Sequence, residues 1–364
     1  MSVRVGVIGT SWWTDSMYLP ALEAHEGAEV AAIAGRTYSS TVEMARRWNI
    51  PIAARSAEQL LDEPSLDAVI IATSNDSHHR LALAALDRGL AVLCEKPLAL
   101  NAEDAREMAA TATTRGVASM VPFTYRFMPT SRWVKRLIDD GYIGRPYHLN
   151  LRYNAGFARN TDYAWRFDPA IAGSGILGDL GSHWLDMARW FFGEISAVGA
   201  VGSRFHDRAP RPDAVPYEPA EELATLTVRF ASGAHGTLQV SAVSHEGTAM
   251  GQTHWYDLHG EAGTLYAFND WESTQLVRGV RADGAGPPAE LPIPYDIWGT
   301  ARRGAVHDTY RDVFRSGGAM VGDFVEAVAS GELCAPDFGD GARIQELLDA
   351  AIASAATDGR MIEV

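Results

Sequence analysis

Two segments carry residue types suited to acid–base chemistry at a developing oxyanion. The first is Cys94-Glu95-Lys96-Pro97. An ammonium group such as that of Lys96 can hydrogen-bond an oxygen that gains negative charge, and Pro97 restricts the backbone that presents it. A cis peptide before Pro97 is conceivable. The second is Gly178-Asp179-Leu180-Gly181-Ser182-His183-Trp184-Leu185-Asp186. Read as helix, Asp179, His183 and Asp186 form one polar stripe at i, i+4 and i+7. Leu180, Trp184, Met187 and Phe191 fall toward the other side. A carboxylate one turn from an imidazole can orient it and tune it for proton transfer near neutrality. No second histidine sits on this face, so a zinc site is not expected, and no metal is expected elsewhere. Spacing alone also allows a solvated lysine and a structural histidine.

The elements that must position these groups are of two kinds. Up to about residue 125 strands alternate with helices: strands at Val3–Ile8, Ala28–Ala34, Ala68–Ala72, Ala91–Cys94 and Ala118–Phe123, and helices near 16–24, 40–48, 79–88 and 102–112. Ala68–Ala72 is apolar almost throughout, as a strand buried on both faces requires. This alternation predicts a parallel sheet with crossover helices. Lys96 then stands at the carboxyl end of a strand, where open α/β sheets place their ligands. After Pro129 come a helix over Ser131–Asp139, a strand around Tyr147–Tyr153, and strands of period two. Ala224, Leu226, Val228 and Phe230 alternate with Thr225, Thr227 and Arg229; Leu238, Val240 and Ala242 alternate with Thr237, Gln239 and Ser241. That pattern predicts a mostly antiparallel sheet with one wet or interface-forming face. The stretches 209–219, 284–294, 156–162 and 295–308 read as loops. The expected division is 1–124 and 125–364, an α/β domain followed by an α+β domain.

Composition narrows the partners. The 364 residues carry a formal net charge of −15, which repels a phosphate backbone and argues against nucleic acid. Cys94 and Cys334 are too few for a disulfide framework. The chain enters an apolar strand almost at once, with no leader pattern, and no apolar run approaches the roughly 20 residues of a membrane span. A cytoplasmic protein is expected.

The turn after the first strand is Gly9-Thr10-Ser11-Trp12-Trp13-Thr14. A dinucleotide fingerprint places glycines at the first, third and sixth positions, for the turn, the pyrophosphate and the helix packing. Only Gly9 matches, but the surrounding strand–helix pattern favours the functional reading over a simple turn. The second strand ends in Gly35-Arg36-Thr37, followed by Ser39 and Ser40, with no acidic residue to hold ribose hydroxyls. A guanidinium there can pair with a 2′-phosphate. The expected cofactor is NADP(H), with NAD(H) the alternative. Trp12 and Trp13 are candidates to wall the nicotinamide, or core residues. His206, His245 and His254 have no motif around them and read as structural.

Taken together, the sequence resembles the glucose-fructose oxidoreductase/inositol dehydrogenase (Gfo/Idh/MocA) family over nearly its whole length. The resemblance is carried by the turn at Gly9, the segment Ala72-Thr73-Ser74-Asn75-Asp76-Ser77-His78, Glu95-Lys96-Pro97, Tyr125-Arg126-Phe127-Met128-Pro129, Trp165-Arg166, Asp179 to Asp186, and the terminal Gly359 to Val364. It implies a Rossmann domain, a second domain with a large, mostly antiparallel sheet, and hydride transfer between a nicotinamide and a carbinol or carbonyl carbon of a sugar, cyclitol or related polyol. His183 would exchange the hydroxyl proton, Lys96 would stabilise alkoxide character, and Asp179 would fix substrate or histidine. Gly9, Thr10, Ser11, Trp12, Trp13, Arg36, Thr37, Thr73, Asn75, His78, Glu95 and Lys96 would face the cofactor; Asn75 could instead cap a helix. Tyr125 and Arg126 would face substrate or cofactor, and Trp165 and Arg166 would close the substrate pocket or simply pack. A homodimer or homotetramer built on the open sheet face is also implied. Two other readings remain: a relative acting on a dihydrodiol, an imine or a nucleotide-linked sugar, and a non-catalytic dinucleotide-binding regulator.

Overall fold

A run of residues that is apolar on both faces demands cover from both sides, and β1 (Val3–Ile8) lies at the centre of a sheet that provides it. The computed structural model describes residues 2–246, 251–284, 286–315 and 320–364. Further strands are β2 (Ala28–Ala34), β3 (Ile52–Ala54), β4 (Ala68–Ile71), β5 (Ala91–Cys94) and β6 (Ser119–Met120). Their order is β3-β2-β1-β4-β5-β6 and every pairing is parallel. All of β4 and β5 is buried.

Two expectations change in this sheet. The strand foreseen over Ala118–Phe123 is only Ser119–Met120, because the Val121 N–H donates to Pro336 O (2.9 Å) and the Phe123 N–H turns back to Val121 O (2.8 Å). Pro336 belongs to a stretch that returns from far along the chain. The first compact unit comprises Met1–Thr124 and Arg311–Gln345; the second comprises Tyr125–Tyr310 and Glu346–Val364. The segment 311–345 thus groups with the first unit. It is tied in by Phe314, which packs edge-on against Trp13 and Tyr18, and by the Phe338 N–H, which donates to Ser119 Oγ (3.3 Å).

The second unit is built on nine strands: β7 (Pro146–Asn154), β8 (Ile195–Ser203), β9 (Leu223–Phe230), β10 (His235–Ser241), β11 (Thr253–Gly260), β12 (Gly263–Asp270), β13 (Thr274–Arg281), β14 (Ala289–Glu290) and β15 (Ile362–Glu363). The order is β14-β13-β12-β11-β7-β10-β9-β8-β15, antiparallel except for the parallel pair β7–β10. Alternation holds in β9, where Ala224, Leu226, Val228 and Phe230 are buried while Thr225 and Thr227 are exposed. Two stretches read as loops contain structure. Residues 284–294 include β14, which pairs with β13; Ala285 in that stretch lies outside the described residues. Residues 295–308 include a helical turn, Tyr295–Trp298, and the start of a helix over Val306–Arg315. Pro294 opens the first of these, its carbonyl accepting from Ile297 and Trp298 (3.2 Å each).

The residue before β9, Glu222, is fully buried. It accepts from Arg208 (2.6 Å), from the Phe205 N–H (2.9 Å) and from His206 (3.0 Å). Arg208 also donates to Ala158 O and Asn160 O, each 2.9 Å. One carboxylate thus gathers residues 158–160 and 205–208. Burial alone would raise its pKa; the N–H of Phe205, His206 and the Arg208 charge outweigh that and hold it below the ordinary carboxylate value. Arg208→Ala, which strands this buried charge, is expected to cost about 3–5 kcal/mol in denaturant unfolding near neutral pH. A depressed folded pKa means that Glu222 stabilises above the ordinary carboxylate range, and that this is lost as pH falls through the folded value. A pH series of melting temperatures should therefore be flatter at acid pH for Glu222→Gln than for the parent.

Candidate active site

In the first unit the strand ends converge too closely for side chains. Gly9 has φ +126°, and a Cβ there would lie 2.2 Å from Ala72 O. A Cβ on Gly35 would lie 2.4 Å from Thr10 Oγ1. Where the fingerprint has further glycines, the hydroxyls of Ser11 and Thr14 lie 3.4 Å apart and the Thr14 N–H meets Ser11 Oγ at 3.3 Å. The turn then enters a π-helical stretch, Thr14–Tyr18, before the α-helix Leu19–Glu23. The helix expected over 16–24 is therefore two kinds of helix. A backbone held this bare at the end of β1 fits a pyrophosphate.

The remaining candidates in this unit divide between exposed groups and braces. Trp12 is 65% exposed. Trp13 instead donates its indole N–H to Glu95 Oε1 (2.8 Å), joined there by the Tyr18 hydroxyl (2.7 Å), while Glu95 Oε2 takes the Lys96 N–H (3.1 Å). His78 is buried, with Nδ1 3.0 Å from Pro97 O and Nε2 3.3 Å from Thr73 O. Burial holds its pKa below the usual histidine value. Glu95 and His78 thus fix the backbone on either side of Lys96, whose peptide to Pro97 is cis. Thr73 Oγ1 pairs with Ser77 Oγ at 2.6 Å, and Asn75 is buried at the start of a 3₁₀ turn. Arg36 and Thr37 are exposed past the end of β2. The register of β2 with β3 sets Ala34 beside Ala54, so Arg55 follows alongside Gly35. Its guanidinium lies 4.3 Å over the Tyr38 ring.

In the second unit Asp179 sits in a π-helical turn, Leu177–Gly181, that runs into the helix Ser182–Phe192 carrying His183. The wider turn is anchored from outside: Glu221 Oε1 accepts the N–H groups of Gly175 and Leu177, both at 2.9 Å. Burial raises the Glu221 pKa, partly offset by those amides. Arg166 Nε lies 3.5 Å from Asp179 Oδ2, and the same guanidinium lies 4.7 Å over Trp165. Asp179, Trp165 and Arg166 therefore meet. Asp186, the third residue of the i, i+4, i+7 spacing, accepts at its two oxygens from Arg126 Nε (2.7 Å) and the Arg126 terminal nitrogen. Arg126 is a partner of Asp186 in a nearly buried pair. Tyr125 lies edge-on to His183, ring centroids 4.8 Å apart.

A buried polar cluster surrounds Tyr125. Tyr125 Oη lies 2.7 Å from Tyr153 Oη and accepts from Gln252 Nε2 at 3.2 Å; the same amide nitrogen is 3.0 Å from His254 Nε2. His254, read above as structural, is buried with a pKa lowered by burial to about 3. Only the aromatic content of β7 and β11 hinted at such a cluster. Among the described residues no group of three or more histidine, cysteine or acidic side chains is placed to hold a metal.

Bare strand ends for a pyrophosphate, and proton-handling side chains at a helix start, define a dinucleotide-dependent oxidoreductase. Residues 3–123 match the family model described as an oxidoreductase family with an NAD-binding Rossmann fold, and residues 131–266 match the Gfo/Idh/MocA C-terminal domain. The chain belongs to the Gfo/Idh/MocA family of NAD(P)-dependent oxidoreductases. It is 30% identical to a levoglucosan dehydrogenase of Pseudarthrobacter phenanthrenivorans over 87% of this chain and 85% of that one. It is also 30% identical to a trans-1,2-dihydrobenzene-1,2-diol dehydrogenase of Bos taurus, over 80% and 79%. A solved levoglucosan dehydrogenase in complex with NADH and levoglucosan superposes with a TM-score of 0.86 at 26% identity, covering 100% of this chain and 99% of that one. With such relatives the regulator reading is set aside.

The crowding at Gly9 generates a prediction. Gly9→Ala combines an unfavourable φ with a clash on the Ala72 carbonyl. It should lower stability by at least roughly 1–3 kcal/mol and weaken dinucleotide binding measured by nicotinamide fluorescence. Parent-like values of both would contradict the close approach.

Proposed function

We propose that the enzyme transfers hydride between NADP(H) and a secondary alcohol or ketone of a sugar, cyclitol or related polyol. The observation that carries this reading is the cluster of Asp179, Arg166, Trp165 and His183 at the start of one helix. It offers charged hydrogen-bonding groups and an indole face to a polyhydroxylated ring. When bound, the nicotinamide supplies the hydride donor or acceptor. His183 takes the hydroxyl proton in oxidation and returns it in reduction. Lys96, whose backbone is braced by Glu95 and His78, hydrogen-bonds the reacting oxygen and stabilises alkoxide character. Asp179, held by Arg166, fixes the substrate hydroxyls, with Tyr125 and Trp165 beside it. A dihydrodiol substrate is the second reading, favoured by the bovine relative and the exposed Trp12 indole.

Gly9, Thr10, Ser11, Thr73 and Asn75 belong to the cofactor side of this proposal, with Trp12 and Trp13 near the nicotinamide. The preference for NADP rests on Arg36 and Thr37 at the end of β2, and on Arg55 stacked on Tyr38 beside them. A levoglucosan dehydrogenase complex holds NADH, so both cofactors must be compared. The same proposal includes a cytoplasmic homodimer or homotetramer associating through the Thr225/Thr227/Thr237 face. Light scattering on the purified chain measures the oligomer, and a monomer would exclude it.

A panel of levoglucosan, D-apiose, inositol and benzene dihydrodiol with both cofactors, followed by reduced-nicotinamide absorbance, tests the substrate class. Lys96→Ala and His183→Ala should each lose about 10²–10⁴-fold in kcat while cofactor Kd stays near the parent value. Full turnover in both would refute these roles. Arg36→Ala should weaken NADPH binding roughly tenfold or more and leave NADH nearly unchanged. Tighter NADH than NADPH binding in the parent would refute the cofactor preference.

A further inference from the structure

The buried cluster under Tyr125 has a direction. A primary amide nitrogen carries two hydrogens and accepts none, so Gln252 Nε2 must donate both to Tyr125 Oη (3.2 Å) and to His254 Nε2 (3.0 Å). His254 can accept there only as the neutral tautomer with its hydrogen on Nδ1. Tyr125 Oη lies 2.7 Å from Tyr153 Oη, a contact in which either hydroxyl can be the donor. In the arrangement where Tyr125 donates, Tyr153 accepts and its own hydrogen is left to another partner.

The rings share this order. Tyr125 stands edge-on between His183 and His254, with centroids at 4.8 and 4.9 Å and interplanar angles of 88° and 89°. Tyr153 leans on Trp184 and His254 at 4.7 and 4.4 Å. Tyr256 and Tyr310 complete the titratable surroundings of Tyr125 and Tyr153. His254 Nδ1 is buried and has no hydrogen-bond partner among the described residues. A native fold seldom keeps an unsatisfied buried donor unless something depends on it.

We propose that Gln252 is a positioning residue for the reaction. By donating to His254 and Tyr125 it locks the Tyr125 ring against His183 and leaves the Tyr153 hydroxyl hydrogen for a substrate oxygen. The inference rests on the role given to His183 above. Burial keeps His254 uncharged through neutral pH, so the direction of the chain persists across the working range.

Long-range ¹⁵N–¹H correlation NMR of histidine-labelled protein reads the tautomer without any substrate. His254 should show a bare Nε2 and a protonated Nδ1, unchanged from pH 5 to 8; a protonated Nε2 overturns the proposal. Gln252→Met keeps the bulk and removes both donors. It should move the His183 side-chain resonances and lower kcat with levoglucosan about tenfold or more, at unchanged cofactor Kd; unshifted His183 resonances overturn the proposal. Should that variant not fold, Tyr153→Phe decides the outer end. It is expected to raise KM about tenfold with little change in kcat, and a parent-like KM overturns the hydroxyl's role. Normal turnover in His183→Ala counts against the reaction scheme, whereas the wrong His254 tautomer counts against Gln252 alone.

Discussion

A buried polar group must find a partner, because leaving it unmatched costs about 1–3 kcal/mol and more for a charge. Nearly every candidate site residue in this chain is placed by that constraint. Glu95 is matched by Trp13, Tyr18 and the Lys96 amide. His78, kept neutral by burial, has one ring N–H to give to the Pro97 or the Thr73 carbonyl. Glu221 is matched by two amides ahead of the π-helical turn that carries Asp179. In each case a side chain that does no chemistry spends its hydrogen bonds on the backbone beside one proposed to do chemistry. A working group held by its own main chain keeps its side chain available.

The two units apply the constraint differently. In the first, β4 and β5 are apolar throughout, and the bare glycine turn lies past the end of β1. In the second, polar groups lie inside. The amide of Gln252, two histidines and two tyrosines pack among tryptophans within one sheet-and-helix layer. Burial there pushes the tyrosine hydroxyls up and the His254 imidazole down, so all stay neutral. Neutral donors and acceptors of fixed direction suit orientation of an uncharged, hydroxyl-rich molecule better than mobile charges would.

Much of this could be read from the residues. Val3–Ile8, Ala28–Ala34 and Ala91–Cys94 are strands as expected, because burial imposes an apolar run on the inner part of each, residues 5–8, 31–34 and 91–94. β3 escaped notice: three residues after a proline carry too little periodicity. The Asp179–His183 pairing was visible as spacing, but the π-helical turn that widens it has no sequence signature. Asp186 looked like a third member of that stripe until Arg126, sixty positions earlier, claimed it. Gln252 was invisible for the same reason. Its partner Tyr125 is 127 residues away, and only the folded sheet brings them within reach. The return of 311–345 to the first unit depends on equally distant contacts, such as Phe338 with Ser119.

The cluster around Glu222 has a bearing on how such an enzyme changes over time. Arg208 bridges to Ala158 and Asn160 through their carbonyl oxygens, and Glu222 reaches residue 205 through its amide. Neither attachment reads the identity of the side chain it holds. Arg208 and His206 apart, the loop side chains from 157 to 162 and from 205 to 219 can therefore be exchanged while the loops remain pinned. Substrate range in such a scaffold can drift by replacement of loop side chains, with the framework that supports the chemistry left intact.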